Sequence, residues 1–199
     1  MHAVLWSDYI CPWCYLGRDR TALLRSLGVT VTQRPFELHP ELPPEGRAHR
    51  PGGRLDRVLD MIGAECAELG MPFTKPTRTP NSRRALETAE VVRIHAPDAF
   101  DALDDALFRT HWVDAGDLGD RATLDALVTS AGADAAGIAD LVAEGVGARV
   151  LAEAMADARE HGVTATPAWL VDDVLLIPGA QPREAIERWV TKLAARDRS

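Results

Sequence analysis

The chain has 199 residues, of which 46% are apolar and 26% charged, with a formal net charge of −8 at pH 7. This composition is ordinary for a globular protein with a sizeable core. The negative charge disfavours nucleic acid or an anionic membrane as the main partner. No apolar run approaches transmembrane length, and strand-like sequence starts at Ala3, which leaves no room for a signal peptide. We therefore expect a cytoplasmic protein.

The first predicted elements are a strand, a helix and a second strand. Residues 3–6 form an apolar run typical of a strand. The helix that follows starts at Pro12, where a proline is tolerated, and ends before Gly28, which suits a C-terminal cap. Residues 29–38 predict the second strand, with Pro35 at or near its end. Two strands joined by one short helix indicate a right-handed parallel βαβ unit.

A loop rich in proline and glycine, residues 39–53, separates this unit from a long helical segment. Apolar residues then recur at helical spacing. They predict six helices, over residues 55–69, 81–96, 98–113, from Asp120 to about 128, 138–143 and 148–161.

Strand character returns near the end of the chain. Residues 168–171 and 174–177 predict a hairpin closed by a two-residue turn, Asp172-Asp173. A final helix over 181–195 is predicted to place Ile186, Trp189, Val190 and Leu193 inward. Without residues 40–162 the order is βαβ followed by ββα. We therefore predict an α/β, thioredoxin-like domain (1–39 and 163–199) with a large all-helical insertion (40–162).

Two cysteines lie at the predicted start of the first helix. Cys11 precedes Pro12 as the N-cap, where unpaired amides and the helix dipole favour a thiolate. Cys14 lies one turn later on the same face, close enough to form a disulfide. This arrangement predicts a redox site in which an exposed, low-pKa Cys11 is the nucleophile and Cys14 resolves the mixed disulfide. Pro12 and Trp13, between them, are expected to tune the redox poise.

Other interpretations of the cysteines are a zinc site, a structural disulfide and inert thiols. Zinc needs four ligands, yet Cys66 is the only other cysteine and the six histidines lack ligand spacing. A structural disulfide is disfavoured in a cytoplasmic chain. Cys66 lies on the apolar stripe of its helix and is expected to behave as a small hydrophobic residue. We expect no metal site.

Several segments in chain order resemble one protein family. They are Asp8-x-x-Cys11-Pro12-Trp13-Cys14-Tyr15-x-Gly17, Pro35-Phe36-x-Leu38-x-Pro40, Asn81-Ser82, Thr166-Pro167 and Gly179-Ala180-Gln181-Pro182. The set resembles DsbA-family thioredoxin-fold oxidoreductases, and most closely their FrnE-like branch. That branch shares its fold with 2-hydroxychromene-2-carboxylate isomerases and kappa-class glutathione transferases. The resemblance implies a cis Thr166–Pro167 bond that faces the cysteine pair.

The remaining candidate residues each have two interpretations. Asp8 either assists proton transfer from Cys14 or is a polar turn residue. Asn81 matches a family residue near the cleft, and it would equally serve as an N-cap. Tyr9 and Tyr15 are candidate residues of a substrate cleft, with packing as the alternative.

These features lead to two function hypotheses. The first is a cytosolic thiol–disulfide oxidoreductase that acts on a protein or small molecule and is recycled by an unidentified redox partner. It needs no cofactor beyond its own cysteines, with glutathione as a conceivable co-substrate. The alternative is a glutathione-dependent isomerase or transferase acting on an aromatic or polyketide metabolite. Isomerase relatives usually lack the second cysteine, so the presence of Cys14 favours redox chemistry.

Overall fold

The computed structural model describes residues 1–196, which form six strands and eight helices. The strands are β1 (His2–Ser7), β2 (Thr30–Pro35), β3 (Arg47–Ala48), β4 (Arg78–Thr79), β5 (Ala168–Val171) and β6 (Leu175–Pro178). The helices are α1 (Pro12–Ser26), α2 (Arg54–Glu68), α3 (Arg83–His95), α4 (Pro97–Trp112), α5 (Arg121–Ser130), α6 (Ala135–Ala143), α7 (Val146–Glu160) and α8 (Arg183–Arg196).

Four strands form the central sheet, in the order β2-β1-β5-β6. β1 pairs with β2 in parallel, from His2 opposite Thr30 to Ser7 opposite Pro35, while β5 runs antiparallel to both of its neighbours. Helix α1 makes the crossover between β1 and β2, as a parallel pair requires. The predicted α/β order, βαβ followed by ββα, is therefore confirmed.

Both faces of the sheet are buried, which explains why β1 and β5 read as nearly continuous apolar runs. Ala3 and Leu5 of β1 belong to a core cluster that also contains buried residues of α1 and α8. Trp6, on the opposite face, packs in a second cluster with Ala158 of α7. Alternation along β1 therefore places Ser7 on the same face as Leu5, toward α1.

In the chain, helices α2 to α7 all follow β2 and precede β5, where the helical insertion was predicted. The insertion is not entirely helical, because β3 and β4 pair as a small antiparallel sheet. Two residues per strand are too few for a periodic pattern, so the sequence did not reveal them. The boundary of the insertion as a separate domain stays a prediction.

Two details near the C-terminus differ from expectation. The hairpin turn is one residue longer than predicted, since Val171 pairs with Leu175 and leaves Asp172 to Val174 outside the ladder. Asp172 and Asp173 both have positive φ, a backbone conformation that Asp tolerates better than most residues. Trp189 of α8 is 37% exposed, so it lies at the edge of the buried face and not within it.

Candidate active site

Cys11 caps the N-terminus of α1 with its backbone. Its φ of −82° and ψ of 118° are extended, and Pro12 follows at the first helical position. The Cys11 carbonyl accepts hydrogen bonds from the amides of Cys14 and Tyr15, at 3.0 and 3.1 Å. No side chain caps this end of the helix. The sulfur of Cys11 therefore lies at the positive end of the α1 dipole, as predicted from the position of Pro12.

Both cysteines at the start of α1 are free thiols and both are buried. Cys11 and Cys14 are each 2% exposed, so the expectation that Cys11 is exposed was wrong. The cause is a segment distant in sequence: the Thr166 carbonyl lies 3.4 Å from the Cys11 sulfur and accepts a hydrogen bond from its thiol. Pro12 and Trp13, which lie between the two cysteines in sequence, are partly exposed.

The two thiols have opposite pKa shifts. Burial acts to raise the pKa of Cys11, but hydrogen bonds from the Cys14 thiol, the Thr166 hydroxyl and the Cys14 amide leave it below its ordinary value. Burial, together with the hydrogen bond to Cys11 and the charge of Cys11, raises the pKa of Cys14 well above its ordinary value. The pair is therefore chemically asymmetric, with Cys11 as the stronger candidate for a thiolate.

Thr166 and Pro167 face the cysteines from the start of β5. The bond between them is cis, and both residues are buried. The Thr166 hydroxyl is buried and has no hydrogen-bond partner besides the cysteine thiols, so it can donate to a thiolate. Pro167 packs directly on α1, since a β-carbon added to Gly17 would lie 3.1 Å from its Cγ. Because Gly17 has no side chain, α1 can approach the Thr166-Pro167 segment closely.

Asp8 lies three residues before Cys11 and is fully enclosed. Its Oδ2 accepts hydrogen bonds from the Leu38 amide at 2.8 Å and the Ser82 hydroxyl at 3.1 Å. Its Oδ1 accepts from the Ile10 amide at 3.3 Å. Burial raises its pKa to about 6, against the lowering effect of these donors. These contacts favour the interpretation of Asp8 as a structural acceptor, which ties β1 to the loop after β2 and to the start of α3.

The three candidate cleft residues are largely engaged in packing. Tyr9 and Tyr15 are only 2% and 3% exposed, which does not fit the open cleft surface that was predicted for them. The Tyr15 hydroxyl donates to the Pro72 carbonyl, and its ring stacks on Trp112 with centroids 5.7 Å apart. Asn81 is partly buried and bridges the Leu42 carbonyl and the Arg83 amide. The N-cap of α3 is Ser82, so Asn81 is not the N-cap, but its side chain accepts from the first amide of the helix.

A pocket of about 300 Å³ lies beside the cysteine pair, between α1, the sheet and α4. It reaches Cys14, and its wall includes Ser7, Gln33 and Asp104. The Tyr9 hydroxyl and the Gln33 amide both donate to Oδ1 of Asp104, at 3.0 and 2.7 Å. The sequence analysis missed these wall residues. Asp104 is one of several aspartates on the polar side of a helix, and only the fold brings it near Cys14.

Further observations concern metal binding, the third cysteine and membrane-spanning helices. Within residues 1–196, no group of three or more His, Cys, Asp or Glu side chains is arranged to hold a metal ion. Cys66, on α2, is completely buried and contributes to the same core cluster as Cys11. In the described part of the chain, no helix is both long enough and apolar enough to cross a bilayer.

Comparison with known proteins gives one family and many structural neighbours. The family model for the DSBA-like thioredoxin domain matches residues 3–190. A probable DsbA oxidoreductase from Streptomyces coelicolor is 25% identical, with a TM-score of 0.85 over 96% of this chain and 89% of that one.

Two further neighbours, each 17% identical, resemble this chain in fold. One is a 2-hydroxychromene-2-carboxylate isomerase, with a TM-score of 0.80 over 99% of this chain and 98% of that one. The other is the cytosolic disulfide reductase DsbM from Pseudomonas aeruginosa, solved with GSH, with a TM-score of 0.66 over 100% of both chains. Because the family model spans nearly the whole length, from the first strand to the last helix, this chain belongs to the DSBA-like thioredoxin-domain family.

Proposed function

We propose that this protein is a cytosolic thiol–disulfide oxidoreductase whose Cys11–Cys14 pair cycles between dithiol and disulfide. The observation that carries the proposal is the placement of two free thiols one helical turn apart at the start of α1, with the Cys11 sulfur at the N-terminus of the helix and 3.4 Å from the Thr166 carbonyl. The opposite directions of their pKa shifts support it. Thiol–disulfide exchange needs one thiol that attacks as a thiolate and a second that is held in reserve. Family membership supports the same chemistry.

In the reducing direction, the Cys11 thiolate attacks one sulfur of a substrate disulfide. A bond forms between that sulfur and Cys11, and the other substrate sulfur leaves as a thiolate. Cys14 then loses its proton and attacks the Cys11 sulfur, which forms the Cys11–Cys14 disulfide and releases the second substrate thiolate. The substrate gains two electrons and the enzyme loses two. The reverse sequence oxidises a substrate dithiol, so the direction depends on the redox partner that recycles the enzyme.

The surroundings of the pair suit a disulfide-bearing protein or small molecule. The partly exposed Trp13 is an apolar surface beside the nucleophile, and Thr166 offers main-chain groups against the sulfur. No cofactor is needed beyond the cysteines, and glutathione is one thiol that could act as co-substrate. A cytosolic location agrees with free thiols and with the cytosolic neighbour from P. aeruginosa.

A trapping experiment tests this proposal. Cys14→Ser should attack a disulfide-containing peptide and then accumulate as a mixed disulfide through Cys11, because the resolving thiol is missing. Cys11→Ser should form no adduct and show no turnover. Cys66→Ala is the matched control and should behave as the wild type. Mass spectrometry of intact protein reads the adducts, and equal labelling of Cys11→Ser and Cys14→Ser would contradict the assignment.

The fold likeness to the 2-hydroxychromene-2-carboxylate isomerase keeps a glutathione-dependent isomerase or transferase as the second candidate. In that chemistry glutathione supplies the reacting thiol and no resolving cysteine is needed. Cys14→Ser therefore separates the candidates: it should abolish multiple-turnover disulfide exchange, whereas it should spare glutathione-dependent turnover of an aromatic substrate.

A further inference from the structure

The second step of the proposed exchange requires Cys14 to lose a proton, although its surroundings favour the thiol. Two carboxylates are candidate acceptors: Asp8, three residues before Cys11, and Asp104, on the wall of the pocket that reaches Cys14. Asp8 is 1% exposed, and hydrogen bonds from Leu38, Ser82 and Ile10 occupy both of its oxygens. It is not among the residues that line the pocket beside Cys14. Asp8 therefore has no open path to the Cys14 proton.

Asp104 has such a path. Tyr9 and Gln33 both donate to its Oδ1, and no group within residues 1–196 donates to its Oδ2. The residue is partly accessible and lines the pocket that reaches Cys14. At about 300 Å³ the pocket is large enough for several water molecules, each of which occupies about 30 Å³ in the liquid. A chain of water can therefore reach the open oxygen.

Ser7 connects the pocket to the sulfur. It lies on the α1-facing side of β1, two residues after Leu5, and Leu5 is directly opposite Gln33 in the parallel register. Ser7 and Gln33 thus lie on the same face of the sheet and line the same pocket. Ser7 and Cys14 line the same pocket, and the Ser7 side chain acts to lower the pKa of Cys14. A hydroxyl can both accept a proton from one neighbour and donate one to another.

We propose that Asp104 accepts, through pocket water and the Ser7 hydroxyl, the proton that Cys14 releases when it resolves the mixed disulfide. This inference rests on the proposed oxidoreductase function. In the step, the Cys14 S–H bond breaks and a bond forms between the Cys14 and Cys11 sulfurs. The bond from Cys11 to the substrate sulfur breaks, that sulfur leaves as a thiolate, and the proton ends on Asp104. Asp104 acts through Ser7 and does not itself contact the sulfurs.

The charges around Asp104 suit it to this exchange. Burial raises its pKa to about 6, while the Tyr9 hydroxyl, the Arg18 charge on α1 and the Gln33 amide on β2 act to lower it, and Asp105 on α4 acts to raise it. Arg18 also pairs with Asp105, on the same pocket wall. Asp104 is thus largely ionised at neutral pH, yet basic enough to hold a proton briefly, which is the compromise that general base catalysis favours.

A two-phase assay tests the relay. Mixing reduced enzyme with dithiobis(nitrobenzoate) should release one coloured thiolate when Cys11 attacks and a second when Cys14 resolves the adduct. Asp104→Asn should leave the first phase unchanged and slow the second about 100-fold, near the lower end of what a positioned general base contributes. The wild-type second phase should inflect near pH 6, and the variant should lose this inflection. Ser7→Ala should slow the same phase, and it keeps the test valid if Asp104→Asn is unstable.

Control variants distinguish the loss of this relay from a general disturbance of the site. Asp101→Asn, an exposed aspartate of α4 that does not line the pocket, should leave both phases unchanged, and Cys14→Ser identifies the second phase by removing it. A second phase slowed less than tenfold in both Asp104→Asn and Ser7→Ala would overturn the relay, as would equal slowing of both phases. If Asp8→Asn alone slows the second phase, Asp8 is the acceptor and the relay is wrong. Absence of both phases in the wild type would overturn the proposed function itself, and the relay with it.

Discussion

Cys66 offers a quantitative test of how the fold divides reactive from inert thiols. Its side chain is completely buried on α2. Burial is the main reason that its pKa rises from 9.0 to about 11, and the charge of Glu65 adds to the rise while Arg20 opposes it. Two pH units correspond to about a 100-fold smaller thiolate fraction at neutral pH. A thiolate of higher pKa is more nucleophilic, which recovers about tenfold.

Protonation alone should therefore make Cys66 about tenfold slower to alkylate in the native protein than in the unfolded chain, and burial should slow it further. The measurement is iodoacetamide labelling of the reduced protein at pH 7, with and without urea, followed by peptide mass mapping. Cys11 should be labelled first in the native state. Cys66→Ala should keep disulfide exchange turnover and lose about 1 kcal/mol of stability through the small cavity it leaves. Native labelling of Cys66 at the unfolded rate would refute this reasoning, as would lost turnover in a folded Cys66→Ala protein.

Three further predictions concern stability. Burial lowers the pKa of His111 from 6.5 to about 4, so the unfolded chain binds a proton that the native state excludes, and stability falls as the pH drops through that window. Urea titrations at successively lower pH should show that the wild type loses up to about 3 kcal/mol of unfolding free energy and that His111→Gln loses less. Parallel pH profiles for the two proteins would contradict this role of His111. Gly17→Ala should cost about 1–3 kcal/mol in thermal unfolding, because the new β-carbon would lie 3.1 Å from both Pro167 and Trp169. Arg20→Met should cost about 1–2 kcal/mol in urea unfolding, because it removes the buried guanidinium from Asp19 and Glu65, 2.9 and 2.5 Å away, while water screens the one-third exposed Glu65. An unchanged midpoint would show that water replaces both contacts.

The placement of the cysteine pair was predictable from sequence because it depends on neighbours within one helical turn. Pro12 fixes the start of α1, so Cys11 must be its N-cap and Cys14 must lie one turn later. Apolar periodicity likewise predicted α2 to α7 and the strands on either side of them, since 3.6-residue and two-residue repeats are properties of the chain itself. Those patterns determined the element order, and with it the thioredoxin-like arrangement.

Tertiary structure decided what surrounds the sulfurs, because burial and proton paths depend on segments distant in sequence. Thr166, 155 residues after Cys11, lies against its sulfur and contributes to the burial of a cysteine that was expected at the surface. Asp8 accepts hydrogen bonds from Leu38, on the loop after β2, and from Ser82, at the start of α3. No local sequence pattern indicates either contact. Asp104 reaches the pocket only because α4 packs against α1. A sequence pattern reports which face of an element is apolar, but the groups that meet a given side chain follow from how the elements pack.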